Sequence, residues 1–556
     1  MSLNYYKGDL LIQKILKKSL PKAYYEWADN ELSSFGESCA NEINQRAIHT
    51  DREGQPRLIK YNKFGEDVSE VWVNDGYKQT VSETYKRGIV GYVHKEIPAL
   101  GHKGNYVYSF AQGYLLSQSE PGFYCPVTLT MATALLLDRY ANEDVKQRFL
   151  PHVISTGEIN LYEGATFLTE RQGGSDVGAN VVHAQSDGDT FRITGEKYFA
   201  SNAGNCGVAM VLARTDGASK GSKGLSLFAV PWRREDGSLN GITIRRLKDK
   251  LGVRAVPSAE VEFQDSVAYL VGKQEKGIHY MMEALNLSRI CNAVASIGIM
   301  RRAYREALTY ATDREAFGQT LTTYPMIQDT LLNMAVKLEI ETIAIFQLVS
   351  EYDELMNIDS ESSVCEEAYV RLLIAILKKE SAEQAIHFSH EAIEMLGGNG
   401  YIEDFVTPRL LRDAQVLTVW EGTANILGIE VLRLMSKHRV HHYFEKRILQ
   451  KLDNVSLEWD KYSEQIKKEL HELVRLTTFV EQADELTKTY YSKRVAKKML
   501  DVFEATVALE WAAEGESREK RVLERFLKQT FNQDGSFESA EHVQVDFNEI
   551  IIREQK

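Results

Sequence analysis

The sequence predicts a multidomain α+β chain, ordered helical, then β, then helical. Three observations predict it. Between about 162 and 280 lie five short β-like runs, TFRITGEKYFAS, VAMVLART, GLSLFAV, GITIRRL and AEVEFQ. Turn signals such as Asp187-Gly188 and Asp236-Gly237 separate them, which is the spacing of a sandwich or barrel. From about 280 to 437 the apolar period becomes helical: Ile327, Leu331, Met334, Leu338 and Ile345 fall on one face. The length, 556 residues, suggests roughly three to four domains.

The elements follow in order. Residues 1–160 hold helix-like stretches, such as the one ending ATALLLDRYANEDVKQRFL, interrupted by a polar segment over roughly 50–75. Residues 161–280 form the β-domain. Residues 281–437 carry helices over 289–312 and 366–396, with another beginning at Pro325. Residues 438–556 read as an appended helical module. Ile466, Leu470 and Leu473, then Val495, Met499, Val502 and Phe503, predict two amphipathic helices there, and the acidic end DGSFESAEHVQVDFNE reads as a loop. No internal repeat or long low-complexity tract is present.

Composition narrows the function. The charge sum is 66 − 79 = −13, so the protein as a whole is no phosphate-backbone binder. Residues 441–556 carry 19 Lys+Arg and 23 Asp+Glu, a net of 19 − 23 = −4. Cys39, Cys125, Cys206, Cys291 and Cys365 are odd in number and widely spaced, which points to a reducing compartment. The start, MSLNYYKGDLLIQKILKK, lacks the pattern of a signal peptide. The longest apolar run, around TMATALLL, is far short of a membrane span of ~20 residues. The expectation is a cytoplasmic protein with no membrane partner.

Four motifs carry candidate chemistry. Thr169-Glu170-Arg171-Gln172-Gly173-Gly174-Ser175-Asp176 offers backbone N–H groups and hydroxyls to a pyrophosphate or a flavin edge; as a bland alternative it is a turn. In Lys197-Tyr198-Phe199-Ala200-Ser201-Asn202, an aromatic and a hydroxyl two apart on a strand share a face and suit a planar cofactor. Leu396-Gly397-Gly398-Asn399-Gly400-Tyr401 serves as a helix C-cap and also permits close approach of a ligand. Trp420-Glu421-Gly422-Thr423-Ala424-Asn425 places a carboxylate beside a bulky ring, the setting of a desolvated general base. Tyr162-Glu163-Gly164 looks locally similar. His438, His441, His442 and Glu445 can share a helical face, as can His387 and His390, but both read as ordinary charged surface, so no metal is assigned. Gly217–Gly224 departs from the phosphate-loop pattern and reads as a surface loop.

Together and in this order, the four motifs resemble the acyl-CoA dehydrogenase family over about 90–437. Lys250-Leu251-Gly252-Val253-Arg254, Asp313-Arg314-Glu315-Ala316-Phe317-Gly318 and Arg412-Asp413-Ala414 fit it as well. The resemblance implies an N-terminal helical domain, a middle β-barrel or sandwich and a C-terminal four-helix bundle, with FAD between the last two. It also implies a homotetramer in which a neighbouring subunit touches FAD. By motif, Leu168, Thr169 and Ser175 contact the flavin and pyrophosphate. Phe199 takes the place of a stacking tryptophan, and Ser201 replaces a threonine that bonds flavin N5. Arg314 and Phe317 reach FAD across the subunit interface. Glu394 stands where glutamine is common, with Gly397 and Gly398 after it. Glu421 matches the catalytic base. Trp420 and Gly422 flank it at the cofactor, and Thr423 and Asn425 follow it. Arg289 and Trp420 belong with the acyl-CoA pocket. The alternative base position is Ser288, which cannot serve, and Glu163 has no counterpart.

The implied reaction is α,β-dehydrogenation of an acyl-CoA thioester. Glu421, its pKa raised by burial and the Trp420 ring, takes the α proton, and the β hydride passes to flavin N5. An electron-transferring flavoprotein is the implied acceptor. The long N-terminal region, Arg246-Leu247-Lys248-Asp249-Lys250 and the C-terminal extension look most like the alkylation-damage adaptive-response branch, which binds double-stranded DNA and is a poor dehydrogenase. The acidic balance of the extension departs from that branch. Lys493-Arg494-Lys497-Lys498 and Arg518-Lys520-Arg521 are its basic clusters, read here as solvated helix faces. An oxidase using oxygen is a third alternative; the nitroalkane branch carries Asp where this chain has Glu421.

Overall fold

The computed structural model describes residues 3–357, 363–531 and 539–553. The chain divides into two compact units, Met1–Cys291 and Asn292–Lys556.

The first unit begins with helices Leu10–Ser19, Lys22–Ser38, Asn44–Arg52 and Asp75–Lys86. Tyr106–Ser117, Pro121–Tyr140 and Glu143–Val153 follow. Asn105 and Asn142 start two of these by accepting from the N–H three residues on, and Pro121 opens a third in its first turn. Every residue of Tyr106–Ser117 is buried, including the polar Ser109, Gln112 and Ser117, so this helix is enclosed on all sides. The polar segment over 50–75 is more than an interruption. Arg57–Tyr61 and Asp67–Trp72 pair as an antiparallel hairpin. Lys60 Nζ donates to the Ile244 carbonyl at 2.8 Å, and the Ile244 N–H donates to Ser69 Oγ at 2.9 Å. These bonds dock the hairpin on strand Ile242–Leu247.

The middle domain contains all five predicted strands and two more, Glu163–Phe167 and His183–Asp187. The order is Ile242–Leu247, Ser258–Val271, Thr190–Ser201, His183–Asp187, Cys206–Thr215, Glu163–Phe167. Leu225–Pro231 pairs with both Ser258–Val271 and Cys206–Thr215. The sheet therefore closes on itself and protects its edges, which makes it a barrel. Phe167, Ile193, Val211, Phe228, Val230, Val261 and Phe263 fill its interior.

The second unit is helical. Helix Gly277–Asp313 contains the dividing residue, and Pro325–Asn357 and Val364–Leu396 follow. Ser363 and Glu366 form a reciprocal capping box at the start of the last of these. Thr407–Leu417 and Ala424–His438 pack against Val364–Leu396. The predicted extension helices are Asp460–Gln482 and Glu485–Glu514, joined by Val440–Asp453 and Ser517–Phe531. Glu485–Glu514 packs on Pro325–Asn357, Val364–Leu396 and Ala424–His438, so the extension is built onto the bundle. Lys337 fixes it there: its ammonium lies 2.8 Å from Glu341, 2.8 Å from Glu504 and 3.4 Å from Glu380, all three buried.

One reading of this region is corrected. The acidic end is no loop over its described part. Ala540–Phe547 is a helix continued by a wide turn to Ile552, and it buries Val543, Phe547, Ile550 and Ile551. Residues 532–538 lie outside the described residues. The basic clusters lie on exposed or half-exposed helix faces, and four of their members are paired with carboxylates. Lys497 pairs with Asp501 at 2.6 Å and Lys498 with Glu469, Arg518 grips Glu339 through both its terminal nitrogens, and Arg521 meets Asp546 at 3.3 Å. No described helix is long and apolar enough to cross a membrane.

Candidate active site

Glu421 sits in the turn between helices Thr407–Leu417 and Ala424–His438. Val419 and Trp420 N–H groups both donate to the Val416 carbonyl, ending the first helix. Glu421 then takes φ 53° and Gly422 φ 107°. Two consecutive left-handed residues reverse the chain sharply, and a non-glycine residue there costs on the order of 1 kcal/mol or more. Gly422 supplies the freedom that a side chain would deny.

Two polar side chains offset that cost. Lys378, buried on helix Val364–Leu396, donates from Nζ to the Trp420 carbonyl at 2.6 Å and the Gly422 carbonyl at 2.9 Å. It holds the peptide groups on both sides of Glu421. Asn292, buried on helix Gly277–Asp313, donates from Nδ2 to Glu421 Oε2 at 2.8 Å and to the Leu417 carbonyl at 3.2 Å. The half-buried carboxylate therefore has a fixed direction. Such a group can accept a proton from a weak carbon acid held beside it. Sequence reasoning missed both supports. Their only signal is a polar residue inside an apolar run, ICNAV and LLIAILKK.

In the first unit, Phe199 and Ser201 lie on strand Thr190–Ser201, to which the Leu168–Thr169 segment is bonded. The Tyr198 N–H donates to the Thr169 carbonyl at 2.9 Å, tying the Gly-rich loop to strand Thr190–Ser201. Beneath it, buried Lys197 donates to the Leu168 carbonyl at 3.2 Å and to Glu170 at 2.8 Å. Burial pushes the Lys197 ammonium down to about 8, and the Glu170 carboxylate opposes that. Glu170 in turn accepts the Val181 and Val182 N–H groups. Phe199 is 55% exposed, free to stack, with Lys248 Nζ 4.8 Å from its ring. Ser201 Oγ lies 3.0 Å from Ser258 Oγ, and Ser175 is exposed. An open aromatic face, a hydroxyl and an exposed Gly-Gly-Ser backbone suit a planar dinucleotide such as FAD.

Arg289 is buried and donates to Asn286 at 3.0 Å on its own helix. Arg314 is exposed before a two-residue turn in which Phe317, 98% exposed, takes φ 53°. Gly397 caps helix Val364–Leu396 with φ 60°, and a side chain at Gly397 or Gly398 would meet open space. Glu394 is exposed, 4.0 Å from His390. Trp420 is half-buried, and Thr423 and Asn425 are exposed at the start of the next helix. Glu163, the local lookalike of Glu421, is buried and accepts from the Tyr85 hydroxyl at 3.1 Å. Burial pushes its carboxyl up to about 7, against the pull of Tyr85. Of the C-terminal histidines, His441 and His442 gather with Glu481 rather than Glu445, with His441 Nε2 3.0 Å from Glu481.

Comparison with known proteins places these features in context. Residues 1–157 match the Adaptive response protein AidB N-terminal domain, 165–266 the acyl-CoA dehydrogenase middle domain and 275–435 the acyl-CoA dehydrogenase C-terminal domain. Acyl-CoA dehydrogenase family member 11 of Caenorhabditis elegans is 35% identical over 472 residues, which cover 82% of this chain and 75% of that protein. Putative acyl-CoA dehydrogenase AidB of Escherichia coli is 31% identical over 421 residues, 74% of this chain and 75% of that one. The crystal structure of Caenorhabditis elegans ACDH-11 in complex with C11-CoA superposes with a TM-score of 0.88 at 29% identity, covering 98% of this chain and 94% of that one.

Proposed function

The chain belongs to the acyl-CoA dehydrogenase family, and we propose that it is an FAD-dependent oxidoreductase that introduces an α,β double bond into an acyl-CoA thioester, with Glu421 as the base. One observation carries the assignment: Glu421 is presented from a left-handed turn with its carboxylate held by Asn292 and its flanking carbonyls by Lys378.

Glu421 takes the α proton of the thioester. Its own N–H polarises the thioester carbonyl, which stabilises the enolate-like charge as the proton leaves. FAD, when bound, supplies the two-electron acceptor for the β hydride. Leu168, Thr169, Ser175, Phe199 and Ser201 of the barrel hold it. Glu394, Gly397, Gly398, Trp420, Gly422, Thr423 and Asn425 are the further residues assigned to it. Arg314 and Phe317 act in a neighbouring subunit of a homotetramer. Arg289 and Trp420 border the acyl-CoA. The product is a trans-2-enoyl thioester, and an electron-transferring flavoprotein takes the electrons in a cytoplasmic setting. The thioester reading is supported by the relative whose structure holds C11-CoA. The carboxylate partners of Lys497, Lys498, Arg518 and Arg521 support ranking duplex-DNA binding second.

The test is an anaerobic titration of the purified flavoprotein with acyl-CoAs of graded chain length, read by bleaching of the flavin absorbance. One or more chains should bleach it. Glu421→Gln should keep FAD and lose the bleaching. Retained turnover in that variant would refute Glu421 as base.

A further inference from the structure

We propose that Asn292 and Lys378 are positioning residues that act as a two-point clamp on Glu421, Lys378 fixing the turn and Asn292 fixing the carboxylate's direction and its hold on a proton. The inference deepens the dehydrogenase reading and rests on Glu421 being its base.

The geometry separates the two roles. Lys378 does not reach for the carboxylate in these bonds; it bonds the backbone oxygens on either side of it, at 2.6 and 2.9 Å. An ammonium buried to this degree is a costly way to hold a turn. It is suited to one that must stay left-handed at a glutamate, because it offers several donors from one atom. Asn292 instead bonds the reacting oxygen-bearing group. Its Nδ2 serves two acceptors, Glu421 Oε2 and the Leu417 carbonyl, so the amide can be oriented only with nitrogen toward them. Its Oδ1 is then buried and accepts no hydrogen bond within the described residues. A buried unmet acceptor destabilises the fold, and an apolar residue of similar size would avoid it. The asparagine is therefore explained by what it gives Glu421.

That contribution has a definite sign. A hydrogen bond donated to a carboxylate favours the ionised form, the form a base must be in before it takes the α proton. Charged groups on the elements around the turn include Lys378 on helix Val364–Leu396, Arg409, Arg412 and Asp413 on helix Thr407–Leu417, and Arg289 on the helix of Asn292 itself. None of them is altered by a change at 292.

The experiment uses the FAD-loaded full-length protein and whichever acyl-CoA bleaches it. The rate of anaerobic flavin reduction is followed from pH 5 to 10. In Asn292→Val the acidic limb of the profile should move up by about one pH unit or more, with KM little changed. In Asn292→Asp, where a second carboxylate faces the first, it should move further. Lys378→Met should lower the reduction rate at every pH by tenfold or more. Melting temperature and bound FAD report whether each variant folds. If Lys378→Met does not fold, the asparagine variants still decide the matter. An Asn292→Val limb that coincides with wild type overturns the clamp while Glu421→Gln remains inactive. Turnover surviving in Glu421→Gln would instead remove the base itself.

Discussion

Replacing Glu163 with glutamine should stabilise the protein at neutral and alkaline pH and leave it unchanged in acid. Glu163 lies at the start of strand Glu163–Phe167, buried, bonded by the Tyr85 hydroxyl, which also touches Thr130 Oγ1 at 2.9 Å. Burial raises its carboxyl from the ordinary 4.5 to about 7. The folded state then binds the proton more tightly than the unfolded chain, so stability falls as pH rises through that window. The interval is roughly two and a half pH units, at about 1.4 kcal/mol each, which sums to about 3 kcal/mol once the pH exceeds both values. Below about pH 4.5 both states are protonated and the group contributes nothing. Glutamine keeps the shape and an acceptor for Tyr85 and removes the titration. Unfolding would be followed in parallel for both proteins from pH 4.5 to 8.5. The gap should open between pH 5 and 7 in favour of Glu163→Gln and then level off. A gap independent of pH, or a variant that becomes the less stable one as pH rises, would refute the reasoning.

Other outcomes follow from other sites. Lys337→Met should cost about 3–5 kcal/mol in denaturant unfolding, because it leaves Glu341, Glu380 and Glu504 buried without their shared cation; a loss below about 1 kcal/mol would show that Lys497, 3.4 Å from Glu380, takes over. Phe317→Asn should leave the melting temperature unchanged or slightly higher, since the ring is exposed and asparagine tolerates a positive φ. If a neighbouring subunit uses that ring at the cofactor, the same variant should lose FAD on ultrafiltration; full retention would count against the tetramer reading. Glu421→Gln should bind acyl-CoA and FAD yet fail to bleach, as measured in the titration above.

The order of the domains was legible because the period of apolar residues changes at each boundary. Periodicity failed where a different kind of burial held the chain. Glu163–Phe167 pairs in parallel with Cys206–Thr215 and is almost wholly buried, so it shows no alternation. His183–Asp187 is largely polar and is held by its ladder to Thr190–Thr194. The hairpin over 57–72 buries little and is fixed by Lys60 and Ser69, two polar residues that read as loop. At the end of the chain the acidic count masked a regular pattern, Val543, Phe547, Ile550 and Ile551, which is the spacing of one helical face.

The candidate site shows the same division at closer range. A turn with glycine, a bulky ring and a carboxylate is local, so Trp420-Glu421-Gly422 announces itself. Its supports are not local. Asn292 lies 129 residues from Glu421, and Lys378 lies 42 from Trp420. No sequence motif stands beside either of them to mark it. What marks them is a mismatch between residue and surroundings: an amide and an ammonium at helix positions that the apolar pattern assigns to the core. Burying such groups is expensive unless the fold delivers acceptors to them, and here the acceptors are the backbone and carboxylate of one turn. The same mismatch identifies Lys197 beneath the Gly-rich loop and Lys337 beneath the extension. In this chain a buried lysine marks a place where irregular backbone or an added helix must be held in a single arrangement. That rule is more useful for finding functional support than the basic clusters of the extension, several of whose members pair with carboxylates.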